Sequence, residues 1–236
     1  MNRVDTAHHD GLDLIDRVRA HGALADPMRL RIVDLLALSD RTPSEIGATL
    51  GVPSNLLAHH LGVLERARLV DRLRSAGDGR RRYISLVLGS AGSAAAIGTP
   101  TRATSVLFVC TANSARSQLA AALWSRRSDV PADSAGTHPA ARIHPQAARV
   151  AILAGLDLAG ARPKRFADVP FRPDLIVTVC DRATEELRGE TSARRLHWSI
   201  EDPVADGRRG AFERAIEHLG ARVDALSPLV AVPGRS

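Results

Sequence analysis

Cysteine is nearly absent from this 236-residue chain: Cys110 and Cys180 are the only two. Two thiols cannot build a disulfide framework, so each is a candidate for chemistry. Aromatic residues make up 3% of the chain, which leaves few rings to wall an aromatic ligand. Lysine occurs once, as Lys164, among 32 basic residues, an arginine bias that reads as coding preference rather than mechanism. No apolar run approaches the ~18 residues of a bilayer span. The start, Met1-Asn2-Arg3-Val4-Asp5, is polar where a secretory signal would be apolar. These absences lead to the expectation of a cytoplasmic protein with no membrane partner. What is present is an ordinary apolar fraction of 44% and length for two modest domains. The net charge of +6, with 13 arginines against 11 acids up to Leu88, is compatible with anionic partners.

In the first half, residues 1–10 are polar and expected to fray, and Leu12, Leu14, Ile15 and Val18 suggest a helix ending near Gly22. Asp26-Pro27 opens a second helix, with Met28, Ile32, Leu35 and Leu36 at helical spacing. Thr42-Pro43-Ser44-Glu45 is a capping box with proline at the first helical position. Gly51-Val52-Pro53 makes a turn, and a further helix starts at Ser54 with Leu57, Leu61 and Leu64 inward. Strands are expected over 69–74 and 82–87, around the turn-rich Ser75-Ala76-Gly77-Asp78-Gly79. Short helix, turn, helix and basic hairpin form a winged helix-turn-helix pattern. Its second helix enters the major groove, and Arg80, Arg81 and Arg82 reach phosphates or the minor groove.

Here the sequence resembles the arsenic-resistance repressor (ArsR) family. The match covers roughly residues 20–88, through Ala25-Asp26-Pro27-Met28-Arg29-Leu30-Arg31-Ile32, the run from Asn55 to Leu64, and Ala67-Arg68-Leu69-Val70. The resemblance implies Ser54, Asn55, Ala58 and His59 near base edges of an operator, and a homodimer formed through this domain. His60, before Leu61, reads as a packed structural histidine. Arsenic-sensing members carry paired cysteines on the helix before the recognition helix; this half has none, which excludes a thiol-based As(III) sensor at that place. His8, His9 and His21 read as surface histidines, and no metal site is expected.

Residues 89–104, largely Gly, Ser and Ala, read as a flexible linker, with a short Ala-rich helix as an option. The domains so defined are 1–88 and 105–230. Beyond the linker, strand-like segments at 106–109, 175–179 and 196–200, with a shorter one before Ser134-Ala135-Gly136-Thr137, alternate with helix-like segments at 117–127, 144–154, 184–187 and 211–226. That alternation predicts a parallel sheet covered by helices. The fold class is therefore α/β, with a mostly α first domain.

The first of these strands ends abruptly in Cys110. Thr111, Ala112, Asn113, Ser114, Ala115, Arg116 and Ser117 follow, and a helix starts. A loop of this kind aims backbone N–H groups at one point, and the helix dipole adds positive charge there. A tetrahedral oxyanion fits that cradle. Cys110 is expected to act as a thiolate nucleophile, and the planar fork of Arg116 to clamp two oxygens. In open α/β sheets, sites form beyond the carboxyl ends of the strands. Cys180 ends the strand from Asp174, and Glu201-Asp202-Pro203 follows the last strand. Both thiols and one acid thus fall at the same edge.

This half resembles the low-molecular-weight protein tyrosine phosphatase family and, within it, the thioredoxin-coupled arsenate reductases. The match rests on Cys110 to Gln118, Ser134-Ala135-Gly136-Thr137, Asp174 to Cys180, and His197-Trp198-Ser199-Ile200-Glu201-Asp202-Pro203. Chemistry and resemblance together imply these roles. Cys110 attacks the central atom of the oxyanion, Arg116 and loop N–H groups stabilise its charge, Ser117 hydrogen-bonds the thiolate, and Asn113 holds the loop. Asp202 protonates the leaving oxygen, and Cys180 attacks the Cys110 adduct, leaving a disulfide. His197 and Trp198 read as packing. The pattern departs from those relatives in three places: no third cysteine follows in 183–190, and Ala115 and Ala112 stand where Cys and Gly are usual. Final reduction then falls to an external thiol or redoxin of thioredoxin, glutaredoxin or mycothiol type, with no bound cofactor. The expected function is arsenate reduction on a chain that also binds DNA. Alternatives are a phosphatase acting on phosphotyrosine or a small phosphoester, and a regulator that senses an oxyanion or redox state without turnover.

Overall fold

The computed structural model of the chain describes residues 5–90, 96–98, 100–187 and 193–231. The residues group into two units, Met1–Leu73 with Arg82–Ile97, and Arg74–Arg81 with Gly98–Ser236.

The first unit contains α1 (Asp5–Leu24), α2 (Pro27–Leu36), α3 (Pro43–Leu50) and α4 (Ser54–Arg66), then β1 (Val70–Arg74) and β2 (Arg82–Leu86), which pair in a two-stranded sheet. Local chemistry sets the helix ends. Asp26 caps α2 by accepting the Arg29 N–H. Thr42 and Glu45 close the expected capping box on α3, and Gly51 ends that helix at φ 66°. Caps of this kind contribute about 1 kcal/mol each. Ile32, Val33, Leu36, Ile46, Leu57, Leu61, Leu64, Leu69 and Ile84 form the core, and each large aliphatic contributes roughly 1.5–3 kcal/mol on burial. The stretch expected to fray is helical from Asp5 onward, because a formed helix propagates without a new nucleus. Leu14, Ile15 and Val18 do not join the core: they are 57, 57 and 63% exposed, and α1 packs through Ala20 and Ala23. The side chains of His8 and His9 lie outside the described residues.

The second unit is built on a four-stranded parallel sheet in the order β5-β4-β6-β7. Its strands are β4 (Val106–Cys110), β5 (Ala132–Gly136), β6 (Leu175–Thr178) and β7 (Arg194–His197). The helices are α5 (Arg116–Ser125), α6 (Pro145–Leu153), α7 (Asp181–Glu186), α8 (Pro203–Asp206) and α9 (Arg209–Leu226). Val106 through Val109 are wholly buried, as a strand covered on both faces must be. Phe108 lies between Trp124 and Trp198, with both ring pairs 5.9 Å apart. Among the described residues no helix is long and apolar enough to cross a membrane.

Three boundaries differ from the sequence expectation. Thr101–Arg102, inside the expected linker, form strand β3, paired with β8 (Val230–Ala231); the Ala-rich stretch 91–95 lies outside the described residues. β7 ends at His197 because β6 ends at its register partner Thr178; no facing strand continues the ladder to Ile200. α7 begins at Asp181, since the Cys180 sulfur accepts the Ala183 N–H and caps it.

Candidate active site

β4 carries Cys110 to the carboxyl edge of the sheet, where it is buried. The carbonyls from Cys110 to Ser114 are each held by a donor outside the loop. Cys110 O accepts the Thr137 N–H (3.1 Å), Thr111 O the His138 N–H (2.8 Å), Ala112 O the Ala140 N–H (2.9 Å) and Ser114 O the His144 N–H (2.8 Å). Asn113 O accepts the Gln118 side-chain amide at 3.1 Å. In a planar trans peptide the next N–H points opposite to the carbonyl, so the N–H groups of 111–115 turn inward. The Asn113 N–H accordingly meets Cys110 Sγ at 3.2 Å. The N-terminus of α5 faces the same point and adds its partial positive charge.

Asn113 holds this shape. It carries the left-handed backbone of the loop, φ 48°, which Asn tolerates better than most residues. Ala112 has no positive φ, so the alanine there meets no strain. The Asn113 amide donates to Ser117 Oγ (2.8 Å) and Ser134 Oγ (2.9 Å), and its Oδ1 accepts the Lys164 N–H (2.9 Å) and Gln118 Nε2 (3.2 Å). Because Ser117 Oγ accepts from Asn113, its own hydrogen is directed at Cys110 Sγ, 3.0 Å away. Gly136 lies against the loop: a Cβ there would sit 2.7 Å from Thr111 O, so only glycine fits. Lys164 braces the loop from outside, donating its side chain to both oxygens of Asp133 at 2.7 and 2.8 Å.

Arg116 is buried at the first position of α5. One guanidinium nitrogen donates to Ile200 O at 2.9 Å, and another pairs with Asp202 Oδ2 at 2.9 Å. Asp202 also caps α8 through the Val204 N–H. Cys180 is buried beside them, 3.5 Å from Thr111 Oγ1. Burial pushes the Cys180 thiol up, and negative charge on Cys110 adds to this, against the pull of Arg116. Next to it, Asp181 lies 3.0 Å from His197 Nε2. Burial pushes that carboxyl up, but hydrogen bonds led by the one from His197 outweigh it and hold Asp181 below the usual carboxylate range.

Cys110, Thr111, Ala112, Ser114, Ala115, Arg116, Cys180 and Asp202 line one cavity of about 240 Å³, completed by Arg182 and Val204 among others. The profile of the low molecular weight phosphotyrosine protein phosphatase family matches residues 105–232, the unit that holds this cavity. The chain belongs to that family. A helix-turn-helix domain profile matches residues 24–72. An arsenate reductase from Brevibacillus brevis is 32% identical over 123 residues, 50% of this chain and 90% of that protein. One from Bacillus cereus strain AH187 is 29% identical over 127 residues, 52% of this chain and 92% of that protein. Among solved structures, an arsenate reductase from Archaeoglobus fulgidus DSM 4304 aligns at 30% identity and a TM-score of 0.44, over 52% of this chain and 98% of that one.

In this member of the phosphatase family, eight of the ten residues singled out for catalysis or oxyanion binding meet in the cavity. Asn113 and Ser117 do not line it; both are fully buried and act through Cys110 and the loop. His197 bonds Asp181 and Thr178, and Trp198 is core. Sequence reasoning missed the brace at Lys164, the outer belt at 137–144 and Arg182 at the cavity. The solitary lysine was the one available signal. In the first unit, α4 turns Ser54, Asn55, Ala58 and His59 outward and Leu57, His60, Leu61 and Leu64 inward. Arg80 is exposed, whereas Arg81 is drawn to Asp78 at 3.3 Å and Arg82 is half-buried.

Proposed function

We infer that the chain is a thiol-dependent arsenate reductase joined to a DNA-binding helix-turn-helix unit. The observation that carries the reading is that the chain's only two cysteines line a single cavity with Arg116. The curated arsenate reductases it resembles add to it. Cys110 thiolate attacks arsenic(V) of arsenate, and the departing oxygen takes a proton from Asp202 and leaves as water. Loop N–H groups and Arg116 hold the remaining oxygens; on arrival the anion competes with Asp202 for the guanidinium. Cys180 then attacks Cys110 Sγ. The S–As bonding pair stays on arsenic, which leaves as arsenite, and Cys110 and Cys180 form a disulfide. An external thiol supplies the two electrons that restore them.

Phosphoester hydrolysis is the second reading, since the same cradle suits phosphate and the family is named for phosphotyrosine. Against it, none of the residues lining the cavity is aromatic, so no ring stacks on a substrate ring. The first unit presents Ser54, Asn55, Ala58 and His59 to an operator, and Arg80, exposed in the 74–81 segment, is a further cation for phosphates. The exposed stripe of Leu14, Ile15 and Val18 on α1 supports a homodimer through this unit, with a second copy covering it.

The deciding measurement is arsenite release by wild type, Cys110→Ser and Cys180→Ser with a thiol donor present. Loss of turnover in both variants supports the two-thiol route. Loss in Cys110→Ser alone, with aryl phosphate turned over faster than arsenate, replaces it by the phosphatase reading. Operator binding that responds to arsenate or oxidation without any turnover replaces both by a pure sensor.

A further inference from the structure

The disulfide formed in this cycle has no carrier to the surface. No third cysteine exists in the chain, and Cys110 and Cys180 are each 2% exposed. A redoxin presents its attacking sulfur on a folded surface and needs its target sulfur exposed. A small molecule needs only the cavity. That cavity is walled by the short side chains of Ala112, Ala115 and Val204, and one further cation, Arg182, stands at it two residues beyond Cys180. Arg182 is 63% exposed, and its Nε is tied to Glu186 at 2.9 Å. The tie uses Nε and leaves the outer nitrogens for an anion.

We propose that the reductant is a low-molecular-weight thiol bearing an anionic group, which enters this cavity, is steered by Arg182 and attacks Cys180 Sγ of the Cys110–Cys180 disulfide. The proposal rests on the arsenate reductase reading for the origin of that disulfide. In the first step the thiolate RS⁻ bonds to Cys180 Sγ, the S–S bond breaks, and its pair leaves on Cys110. A second RS⁻ attacks the mixed disulfide, giving RSSR and the Cys180 thiolate, which takes up a proton. Two small thiols are oxidised and one protein disulfide is reduced. Attack on Cys180 rather than Cys110 follows from the leaving groups. Departing Cys110 is met by the Asn113 N–H at 3.2 Å and the Ser117 hydroxyl at 3.0 Å, two donors that meet the charge developing on the leaving sulfur. Among the described residues Cys180 meets the Thr111 hydroxyl and the Ala183 N–H, at the longer distances of 3.5 and 3.4 Å, and burial pushes its thiol up.

The full-length protein is oxidised with diamide, the disulfide is confirmed by mass, and its reduction is followed without arsenate. The donors are 2-mercaptoethanesulfonate, neutral 2-mercaptoethanol, and thioredoxin with its reductase. Corrected for thiolate fraction, the sulfonate is expected to react about tenfold faster than the neutral thiol, an advantage that shrinks in high salt and in Arg182→Ala, and reverses in Arg182→Glu. Equal rates for the two small thiols overturn the proposal. So does an Arg182→Ala variant that keeps the full anionic advantage, micromolar thioredoxin outpacing millimolar sulfonate, or failure of diamide to form the disulfide. A protein that passes this test yet releases no arsenite from arsenate sinks the arsenate reductase reading alone.

Discussion

Replacing Asn113 tests whether the oxyanion cradle is held by one side chain. Its amide makes four hydrogen bonds to Ser117, Ser134, Lys164 and Gln118, all in a fully buried position. At about 0.5–1.5 kcal/mol each, Asn113→Ala forfeits roughly 2–6 kcal/mol. The left-handed φ of 48° adds about 1 kcal/mol for alanine. Asn113→Gly loses the same bonds without that strain, so glycine is expected to be the milder change by about 1 kcal/mol. These losses compare with a typical domain stability of about 5–15 kcal/mol. The assay is urea unfolding followed by tryptophan emission. Trp124 and Trp198 are the only tryptophans, and both are fully buried in the second unit, so the signal reads that unit alone. Arsenate turnover should fall with it, because the inward N–H groups lose their fixed directions. The reasoning fails if both variants unfold within about 1 kcal/mol of wild type, the worth of a single hydrogen bond. It also fails if alanine proves milder than glycine.

Asp202→Asn keeps the cap on α8 but cannot donate a proton as an acid; turnover is expected to fall about 10²–10⁴-fold, with arsenate still protecting Cys110 from alkylation. For Asp181, a carboxyl held below its ordinary value contributes stability above the unfolded value of 3.8, and this is lost as pH falls through the lower folded value. Urea midpoints from neutral pH down to about pH 3, read through tryptophan emission, should therefore drop at the acid end in wild type and respond less in Asp181→Asn, which starts lower at neutral pH. On the DNA side, Asn55→Ala should cost about 1–3 kcal/mol on an operator and little on random DNA. Arg80→Ala should weaken both alike and reduce the slope of log affinity against log salt by about one. Fluorescence anisotropy across a salt series separates the two.

Much of the architecture was legible because its causes are local. The capping box at Thr42 and Glu45 and the turn at Gly51 need only a few adjacent residues. The unbroken apolar run of β4 and the Cys110-to-Arg116 spacing announced a strand feeding an anion cradle. Other features were not legible because their partners are distant in sequence. Leu14, Ile15 and Val18 look like core, yet α1 packs on its alanine side. Cys180 reads as the end of a strand, yet its sulfur caps α7.

The sequence by itself pointed to two units and to Cys110, Arg116 and Asp202 as candidate nucleophile, clamp and acid, because apolar periodicity and motif spacing are written along the chain. It also determined that no third thiol exists. Only the tertiary structure decided how the cradle is aimed. The segment 137–144 pulls the loop carbonyls outward, and a planar peptide then has to turn each following N–H inward. It also decided that both thiols share one cavity, because parallel strands β4 and β6 end side by side.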